Sequence, residues 1–211
     1  MIDSPLRERI VATARRMNAL GINQGASGNV SARVEGGFLV TPSGLPYESL
    51  QPADIVHVGM DGHATGHREP SSEWRFHRDI YATRPEAGAV VHTHSAFATT
   101  LACLDRPIPA FHYEVAFAGG SDIRCAPYRS FGTQELSDAA IAALEGRRAC
   151  LLAHHGVIAF GQDLDDALRL ADKVEAMARL YWQAVQVGEP AILDDDEMAR
   201  IVERFRHYGP R

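Results

Sequence analysis

One carboxylate and three imidazoles are the side chains of this sequence best suited to chemistry. Glu73 lies on a predicted helix, His92 and His94 lie two apart on a predicted strand, and His155 follows another predicted strand. Side chains two apart on a strand share one face, so His92 and His94 form half of a chelate. Three nitrogen donors and one oxygen donor are the ligand set expected for zinc. The sequence therefore predicts a metal site that the fold assembles from distant segments.

Two neighbouring histidines leave alternatives open. His154 directly precedes His155, and adjacent residues of a strand face opposite sides, so at most one of the two joins the cluster. Spacing alone does not decide which. His77 lies four residues after Glu73 and therefore on the same helix face. Either the two side chains pair there, or Glu73 is a metal ligand and base while His77 stays outside the metal shell.

Three small polar turns are suited to binding an anion. They contain the pairs Gly28-Asn29, Ser43-Gly44 and Ser71-Ser72. Each can present backbone N–H groups or hydroxyls, and the third opens a predicted helix. The sequence contains no Walker-type loop, so neutral donors or arginine must bind any phosphate. Tyr113 is a further candidate, as a proton donor.

Lys173 is the only lysine of the chain. It lies in a predicted helix whose apolar stripe occupies the opposite face, so we expect its ammonium group to be solvated. Schiff-base catalysis needs a lysine whose pKa is lowered within a pocket. The sequence therefore argues against Schiff-base chemistry.

Composition is that of an ordinary globular protein. The chain has 211 residues, 45% hydrophobic and 23% charged, with a net charge of −6. This length predicts one domain over residues 1–211. The sequence has no basic stripe of the kind that binds nucleic acid, and no apolar run is long enough to cross a bilayer. Neither nucleic acid nor a membrane is therefore an expected partner. Charged residues near the N-terminus argue against a signal peptide. Three cysteines without a pairing motif indicate reduced, mostly buried thiols in a cytoplasmic protein.

Hydrophobic periodicity predicts alternating helices and strands. The predicted strands cover residues 29–34, 38–41, 55–60, 89–94 and 149–154. The predicted helices cover residues 5–20, 97–104, 133–144, 163–187 and 195–205, and one more runs from a cap at Ser71 or Ser72 to about residue 83. Since the order has no regular βαβ repeat, we predict a three-layer α/β/α fold with a central, mostly antiparallel sheet flanked by helices.

Several motifs together resemble the class II aldolase/adducin family. They are G-A-S-G-N-V-S, T-P-S-G-L-P-Y, P-S-S-E-W-R-F-H, V-V-H-T-H, I-P-A-F-H-Y, C-A-P-Y-R-S-F-G-T and L-L-A-H-H-G-V-I-A, and they span nearly the whole chain. The resemblance implies a class II aldolase-like fold and one zinc ion per subunit, bound by Glu73, His92, His94 and His155. It also implies that Glu73 is the acid/base, that the three turns bind phosphate, and that Tyr113 acts from a neighbouring subunit of a homotetramer.

The implied reaction cleaves a ketose 1-phosphate into dihydroxyacetone phosphate and an aldehyde. L-Fuculose 1-phosphate or a related 5-deoxy- or 5-methylthio-ribulose 1-phosphate is the expected substrate. Retro-aldol cleavage leaves an enediolate, which a zinc Lewis acid stabilises where no Schiff base is available. We expect Phe131 and Tyr208 to line the aldehyde side of the pocket.

The resemblance leaves three alternatives open. Methylthioribulose-1-phosphate dehydratases belong to the same superfamily and would yield a diketone with no triose phosphate. Phosphosugar 4-epimerases belong to it too, but they carry a His-Ala-Asp type segment where this chain has His112-Tyr113-Glu114. A non-catalytic, adducin-like assembly module is the third alternative, and such modules are expected to lose the metal ligands that this chain retains.

Overall fold

The computed structural model describes residues 3–206, which form eight strands and six α-helices. The strands are β1 (Asn29–Val34), β2 (Gly37–Val40), β3 (Val56–Gly59), β4 (Ala64–Thr65), β5 (Ala89–Thr93), β6 (Cys125–Ala126), β7 (Ala149–Leu152) and β8 (Gly156–Gly161). The helices are α1 (Ser4–Ala19), α2 (Trp74–Thr83), α3 (Ala96–Ala102), α4 (Gln134–Ala143), α5 (Leu164–Val187) and α6 (Asp195–Arg206). Short 3₁₀-helices span Pro52–Asp54 and Tyr113–Ala118.

All eight strands join one sheet, in the order β4-β3-β2-β1-β5-β8-β7-β6. Neighbouring strands are antiparallel except β6 and β7, which are parallel. This arrangement confirms the predicted, mostly antiparallel sheet. In the centre, β1 pairs with β5 so that Asn29 lies opposite His92. Two segments that carry predicted site residues are therefore adjacent in the sheet.

Helices cover both faces of the sheet. On one face α1, α3 and α5 share a hydrophobic core that includes Val91 of β5. On the other face Phe76 of α2 and Leu136 of α4 belong to a second core with Ile158 of β8. Strands covered on both faces carry apolar side chains on both, which explains the continuous hydrophobic runs of β7 and β8 and of the first three residues of β5. The predicted three-layer architecture is confirmed.

The connection between β7 and β8 differs from the prediction. β7 ends at Leu152, so His154 and His155 lie in a turn rather than on a strand. His154 adopts a φ of 54°, a left-handed conformation that helps to reverse the chain. The sequence analysis missed β8 altogether, although its run G-V-I-A-F-G is apolar and bounded by glycines.

The predicted helix cap at Ser71 or Ser72 was also wrong. α2 begins at Trp74, and Glu73 occupies the N-cap position without a side-chain cap bond. Ser71 Oγ instead accepts a hydrogen bond from the Glu73 N–H at 3.3 Å. The serine hydroxyl thus fixes the turn that precedes the helix, while the predicted end of the helix at Thr83 is confirmed.

Lys173 lies on α5 with its side chain 32% exposed, and its ammonium group is ion-paired as well as partly solvated. Its Nζ donates to both carboxylate oxygens of Glu114, at 3.0 and 3.1 Å. The ammonium group also lies 5.4 Å from the centroid of the Phe117 ring. The ammonium group is thus engaged in an ion pair with Glu114, and the structure gives no support to Schiff-base chemistry at this lysine.

Two further predictions concern the burial of the cysteines and the absence of a membrane-spanning helix. All three cysteines are free, as predicted, but only Cys150 is buried, while Cys125 is half-buried and Cys103 is exposed. The prediction of mostly buried thiols was therefore wrong. No helix within residues 3–206 combines the length and the hydrophobicity that a bilayer crossing requires.

Glu175 of α5 anchors the start of α3, the helix that follows the His92-x-His94 segment. Its carboxylate oxygens accept hydrogen bonds from the N–H groups of Phe97 and Ala98, each at 2.9 Å. Ser95, at the N-cap of α3, makes no side-chain cap bond. A charged acceptor from a distant helix therefore satisfies the first turn of α3.

We expect Glu175→Ala to lower the free energy of unfolding by about 1–3 kcal/mol, because two part-buried helix donors lose a charged acceptor. Urea unfolding followed by circular dichroism measures the change. Glu189→Ala, at an exposed position after α5, is the control and should change stability by less than about 0.5 kcal/mol. Equal losses in both variants would contradict the anchoring role of Glu175.

Candidate metal centre and cavity

The four predicted metal ligands meet at one point. The ligand atoms of Glu73, His92, His94 and His155 all lie within 4.8 Å of one another. His92 Nε2 lies 3.0 Å from His94 Nε2 and 3.2 Å from Glu73 Oε2. His155 Nε2 lies 3.2 Å from Glu73 Oε1. Donors about 2.0–2.1 Å from a tetrahedral ion are about 3.3 Å apart, so these separations suit a single metal ion.

Each donor comes from the end of an element of secondary structure. Glu73 precedes α2, His92 lies near the end of β5, His94 directly follows β5, and His155 lies in the turn between β7 and β8. The carbonyl oxygen of Val157 can only accept, so His92 Nδ1–H donates to it at 2.8 Å. This bond leaves the lone pair of His92 Nε2 facing the cluster, as a metal ligand requires.

The turn also decides between the two adjacent histidines. The ring of His154 meets the ring of Tyr128 edge-on, with centroids 5.9 Å apart, whereas the His155 ring lies 4.8 Å from that of His92. The structure therefore brings His155, and not His154, to the other three donors. The left-handed backbone of His154 sets this orientation, which strand alternation alone left open.

The protonation states of the cluster suit a metal. Burial opposes the charged form of Glu73, but the imidazoles of His92 and His155 offset it and hold the pKa of this carboxyl below its ordinary value. Burial lowers the pKa of His94 to about 3, and His92 and His155 add to that effect. At neutral pH the carboxylate is thus ionised and the imidazole of His94 neutral, which are the forms that bind metals.

One buried acceptor atom of the cluster has no hydrogen-bond partner among the described protein groups. Glu73 is 5% exposed and His92 is 0% exposed. Within residues 3–206, Glu73 Oε1 accepts no hydrogen bond although it is buried. Buried polar atoms are costly without a partner, and a cation between the four donors would supply one. The residues present therefore fit a metal ion.

His77 does not pair with Glu73 and stays outside the cluster. Its Nε2 lies 2.6 Å from Asn29 Oδ1, and its Nδ1 lies 2.6 Å from Ser31 Oγ. The ring is fully buried. Asn29 Nδ2 in turn donates to Glu73 Oε2 at 3.0 Å. His77 is therefore joined to the metal ligand through the amide of Asn29.

The three predicted anion turns lie side by side. Pro42 and Pro70 form an isolated β-bridge between the second turn and the third. Ser71 N–H donates to Thr41 O, and Thr41 N–H donates to Val30 O, each at 3.0 Å. These backbone bonds join the start of β1, the end of β2 and the segment before α2 into one polar surface.

The predicted phosphate-binding residues differ in exposure along this surface. Gly28, Asn29 and Ser71 are buried, whereas Ser43, Gly44 and Ser72 are exposed. Gly44 has a φ of 67°, a conformation that glycine adopts without strain. The three turns thus combine donors at the surface with donors held just beneath it.

A cavity of about 330 Å³ opens onto the cluster. Its lining includes the metal-site residues Glu73, His94 and His155, together with Ser72 from the third anion turn. Phe131, predicted for the aldehyde side, also lines the cavity and is 71% exposed. One cavity therefore contains donors for a metal, donors for an anion and an apolar ring.

The sequence analysis missed three residues of this lining, namely Ser27, Tyr128 and Arg129. They lie in the motifs G-A-S-G-N-V-S and C-A-P-Y-R-S-F-G-T. An arginine beside polar turns is a signal for anion binding that the sequence alone contained. Arg129 brings a guanidinium group to the cavity.

Tyr113 and Tyr208 were the remaining predicted site residues. Tyr113 begins the second 3₁₀-helix, is 48% exposed and packs beside His112 and Phe205. Among the described residues, the lining of the cavity does not include it. Tyr208 lies outside the described residues.

Known proteins resemble this chain along nearly its whole length. Residues 8–182 match the family described as "Class II Aldolase and Adducin N-terminal domain". The chain is 56% identical to the 5-methylthioribulose-1-phosphate/5-deoxyribulose-1-phosphate aldolase of Rhodospirillum rubrum, over 97% of this chain and 92% of that one. It is 47% identical to the L-fuculose phosphate aldolase of Escherichia coli K12, over 98% and 96%. A solved structure of an L-fuculose 1-phosphate aldolase gives a TM-score of 0.95 at 38% identity, with 98% of both chains covered.

We expect His94→Ala to weaken metal binding by more than about 100-fold, because loss of a donor should exceed the 10–100-fold effect of losing an outer partner. Atomic absorption and chelator competition on the purified protein measure the stoichiometry and the affinity. His63→Ala, at an exposed position outside the cluster, is the control and should keep one metal ion per chain. A His94→Ala protein that retains its full metal content would contradict the ligand assignment.

Proposed function

Because the chain belongs to the class II aldolase and adducin family, we propose that it is a zinc-dependent aldolase. It cleaves a ketose 1-phosphate into dihydroxyacetone phosphate and an aldehyde. The observation that carries this proposal is the cluster of one glutamate and three histidines in a cavity that also contains Ser72 of an anion turn. Zinc is the ion that this donor set favours.

The names of the relatives support the substrate class. We propose that the substrate is L-fuculose 1-phosphate or a 5-deoxy- or 5-methylthio-ribulose 1-phosphate, since relatives named for these activities are 47% and 56% identical to this chain. These sugars share the ketose 1-phosphate end and differ at the other end. The metal and phosphate half of the site can therefore serve all of them. We assign the choice between them to the aldehyde side, with Phe131 and Tyr208.

The proposed chemistry divides between the metal and the side chains. Held by Glu73, His92, His94 and His155, zinc would supply a Lewis acid suited to stabilising the enediolate left by the cleavage. In the direction of condensation the ionised carboxylate of Glu73 would remove a proton from the carbon that becomes the nucleophile, and in cleavage the same group would return that proton to the enediolate carbon. His92, His94 and His155 bind as neutral imidazoles, so Glu73 is the one anionic donor and the site keeps positive charge.

Neutral donors bind the substrate phosphate in this proposal. The residues are Gly28, Asn29, Ser43, Gly44, Ser71 and Ser72, which supply N–H groups, an amide and hydroxyls. The backbone bonds between the three turns support this role because they fix the donors before the ligand arrives. Arg129 lies in the same cavity and can add a charged contact.

We further propose a homotetramer with active sites at the subunit interfaces. Tyr113 then exchanges a proton with the aldehyde-derived oxygen in the site of a neighbouring subunit. Its 48% exposure, together with its absence from the described lining of its own cavity, supports this role. The single sheet supports one catalytic domain over residues 1–211, and the free cysteines support a cytoplasmic location.

We expect zinc-loaded protein to release dihydroxyacetone phosphate from at least one of L-fuculose 1-phosphate, 5-deoxyribulose 1-phosphate and 5-methylthioribulose 1-phosphate. A coupled assay for triose phosphate measures the release and ranks the sugars by kcat/KM. A chelator should abolish the activity, and added zinc should restore it. A diketone product without triose phosphate would identify a dehydratase instead. Tight zinc binding without turnover of any sugar would favour the non-catalytic module.

We expect Tyr113→Phe to lower kcat by ~10²–10⁴-fold, because a general acid or base contributes about that factor. Its zinc content should stay unchanged, since the hydroxyl is not a metal ligand. Tyr128→Phe is a matched control from the cavity lining that carries no proposed proton transfer. Equal rates for Tyr113→Phe and the unmodified enzyme would limit Tyr113 to a packing role.

The interface role of Tyr113 has its own test in mixed oligomers. Tyr113→Phe and His94→Ala subunits are each impaired alone, but a mixture contains sites with an intact cluster and a neighbour's intact tyrosine. Random assembly of equal amounts should restore activity to about a quarter of the unmodified level. Co-expression with two affinity tags isolates the mixed oligomers. Activity no higher than the sum of the parent variants would show that Tyr113 serves its own subunit.

A further inference from the structure

A chain of buried hydrogen bonds runs from the metal ligand into the core between the sheet and α2. Asn29 Nδ2 lies 3.0 Å from Glu73 Oε2, and His77 Nε2 lies 2.6 Å from Asn29 Oδ1. Ser31 Oγ lies 2.6 Å from His77 Nδ1 and 2.7 Å from the hydroxyl of Tyr81. All five residues are at most 5% exposed. The chain is therefore shielded from water along its whole length.

The chemistry of the groups fixes the direction of every bond in this chain. An ionised Glu73 can only accept, so the amide of Asn29 presents its nitrogen to the carboxylate and its oxygen to His77. An amide oxygen also only accepts, so His77 carries its proton on Nε2. Nδ1 must then accept from the Ser31 hydroxyl, and the Ser31 oxygen accepts from Tyr81. All four donors consequently point towards Glu73.

Reversal of any one bond would place two acceptors against each other at 2.6–3.0 Å. The surroundings oppose such a reversal. The ring of His77 is held between Phe76 and Phe38, with centroids 4.7 and 6.3 Å away. Burial also lowers the pKa of His77 to about 3, which keeps the ring neutral with one donor and one acceptor. The packing and the charge state thus both support one orientation.

We propose that His77 is a positioning residue of the active site, which acts by fixing the amide of Asn29 with its nitrogen towards Glu73. The proposal rests on the aldolase function, since it explains how the acid/base is held. The amide nitrogen has two protons. One holds the Glu73 carboxylate, and the other stays available to the substrate phosphate, the second role assigned to Asn29. A flipped amide would present its oxygen to the Glu73 carboxylate and to the substrate phosphate.

Two substitutions at position 77 separate this role from simple packing. The side-chain amide of glutamine reaches the position of the imidazole Nε2, whereas that of asparagine reaches the position of Nδ1. His77→Gln can therefore still donate to Asn29, and His77→Asn can bond only with Ser31. Both replace the ring by an amide, so both lose the aromatic packing against Phe76.

We expect His77→Asn to lower kcat/KM by ~10–100-fold and to weaken zinc binding, as loss of an outer partner does, while His77→Gln restores most of both. Zinc affinity is measured by chelator competition and needs no turnover. His57→Asn, the same exchange at a half-buried histidine of β3, is the control and should keep both values. Equal losses in the two His77 variants would overturn the positioning role and leave a packing role. Wild-type values for His77→Asn would also overturn it.

A measurement on the unmodified, zinc-loaded protein tests the inference even if a variant fails to fold. Nitrogen-15 spectra of histidine-labelled protein report the protonated ring nitrogen, and the signal that is missing from His77→Gln, or that shifts in Asn29→Ala, assigns His77. We expect a neutral Nε2–H tautomer at neutral pH. An Nδ1–H tautomer or a charged ring would overturn the inference.

The two proposals fail in different ways. If no sugar phosphate is cleaved but the tautomer and the zinc contrast are as expected, the positioning role stands and the aldolase function falls. If the enzyme releases dihydroxyacetone phosphate but His77→Asn matches His77→Gln in zinc affinity and kcat/KM, the aldolase function stands and the positioning role falls.

Discussion

The close approach of Gly28 to the backbone of His92 is the contact on which the rest of the site depends. A Cβ atom at position 28 would lie 2.4 Å from His92 O, far inside any van der Waals distance. Only glycine therefore allows β1 to enter the sheet beside β5 in the register that sets Asn29 opposite His92. The buried hydroxyl of Tyr47 donates to Gly28 O and holds the turn from the other side. Anion-binding and metal-binding segments become neighbours through this single pairing.

The charges of the site follow from the same geometry. Glu73 is the one anion among the four candidate metal donors, and the predicted anion turns beside it contain hydroxyls and backbone N–H groups rather than ammonium groups. A lysine next to Glu73 would form an ion pair and compete with a metal for the carboxylate. The single lysine of the chain is instead paired with Glu114. Neutral donors in the proposed phosphate turns thus leave the Glu73 carboxylate available to a metal.

Local patterns predicted the parts of the site that depend on local geometry. Alternation along a strand was sufficient to bring His92 and His94 to one face, and the helical layers over an antiparallel sheet followed from the order of the elements. The choice between His154 and His155 was not predictable from alternation, because it depends on one left-handed residue in a turn. β8 was missed because its short apolar run directly follows that turn. The ion pair of Lys173 likewise depends on tertiary structure, since Glu114 lies in a separate 3₁₀-helix.

The buried positions of His77, Ser31 and Tyr81 show how the core and the site share residues. Apolar side chains could fill this space between β1 and α2, and a partly satisfied polar network would be worse than an apolar core. Here each polar group has its partner, and the chain of bonds ends on Glu73. The bonds link β1 with α2, so the carboxylate reaches its orientation only when these elements have packed. Orientation of the Glu73 carboxylate, the proposed acid/base, is thus a property of the folded core rather than of the cavity wall.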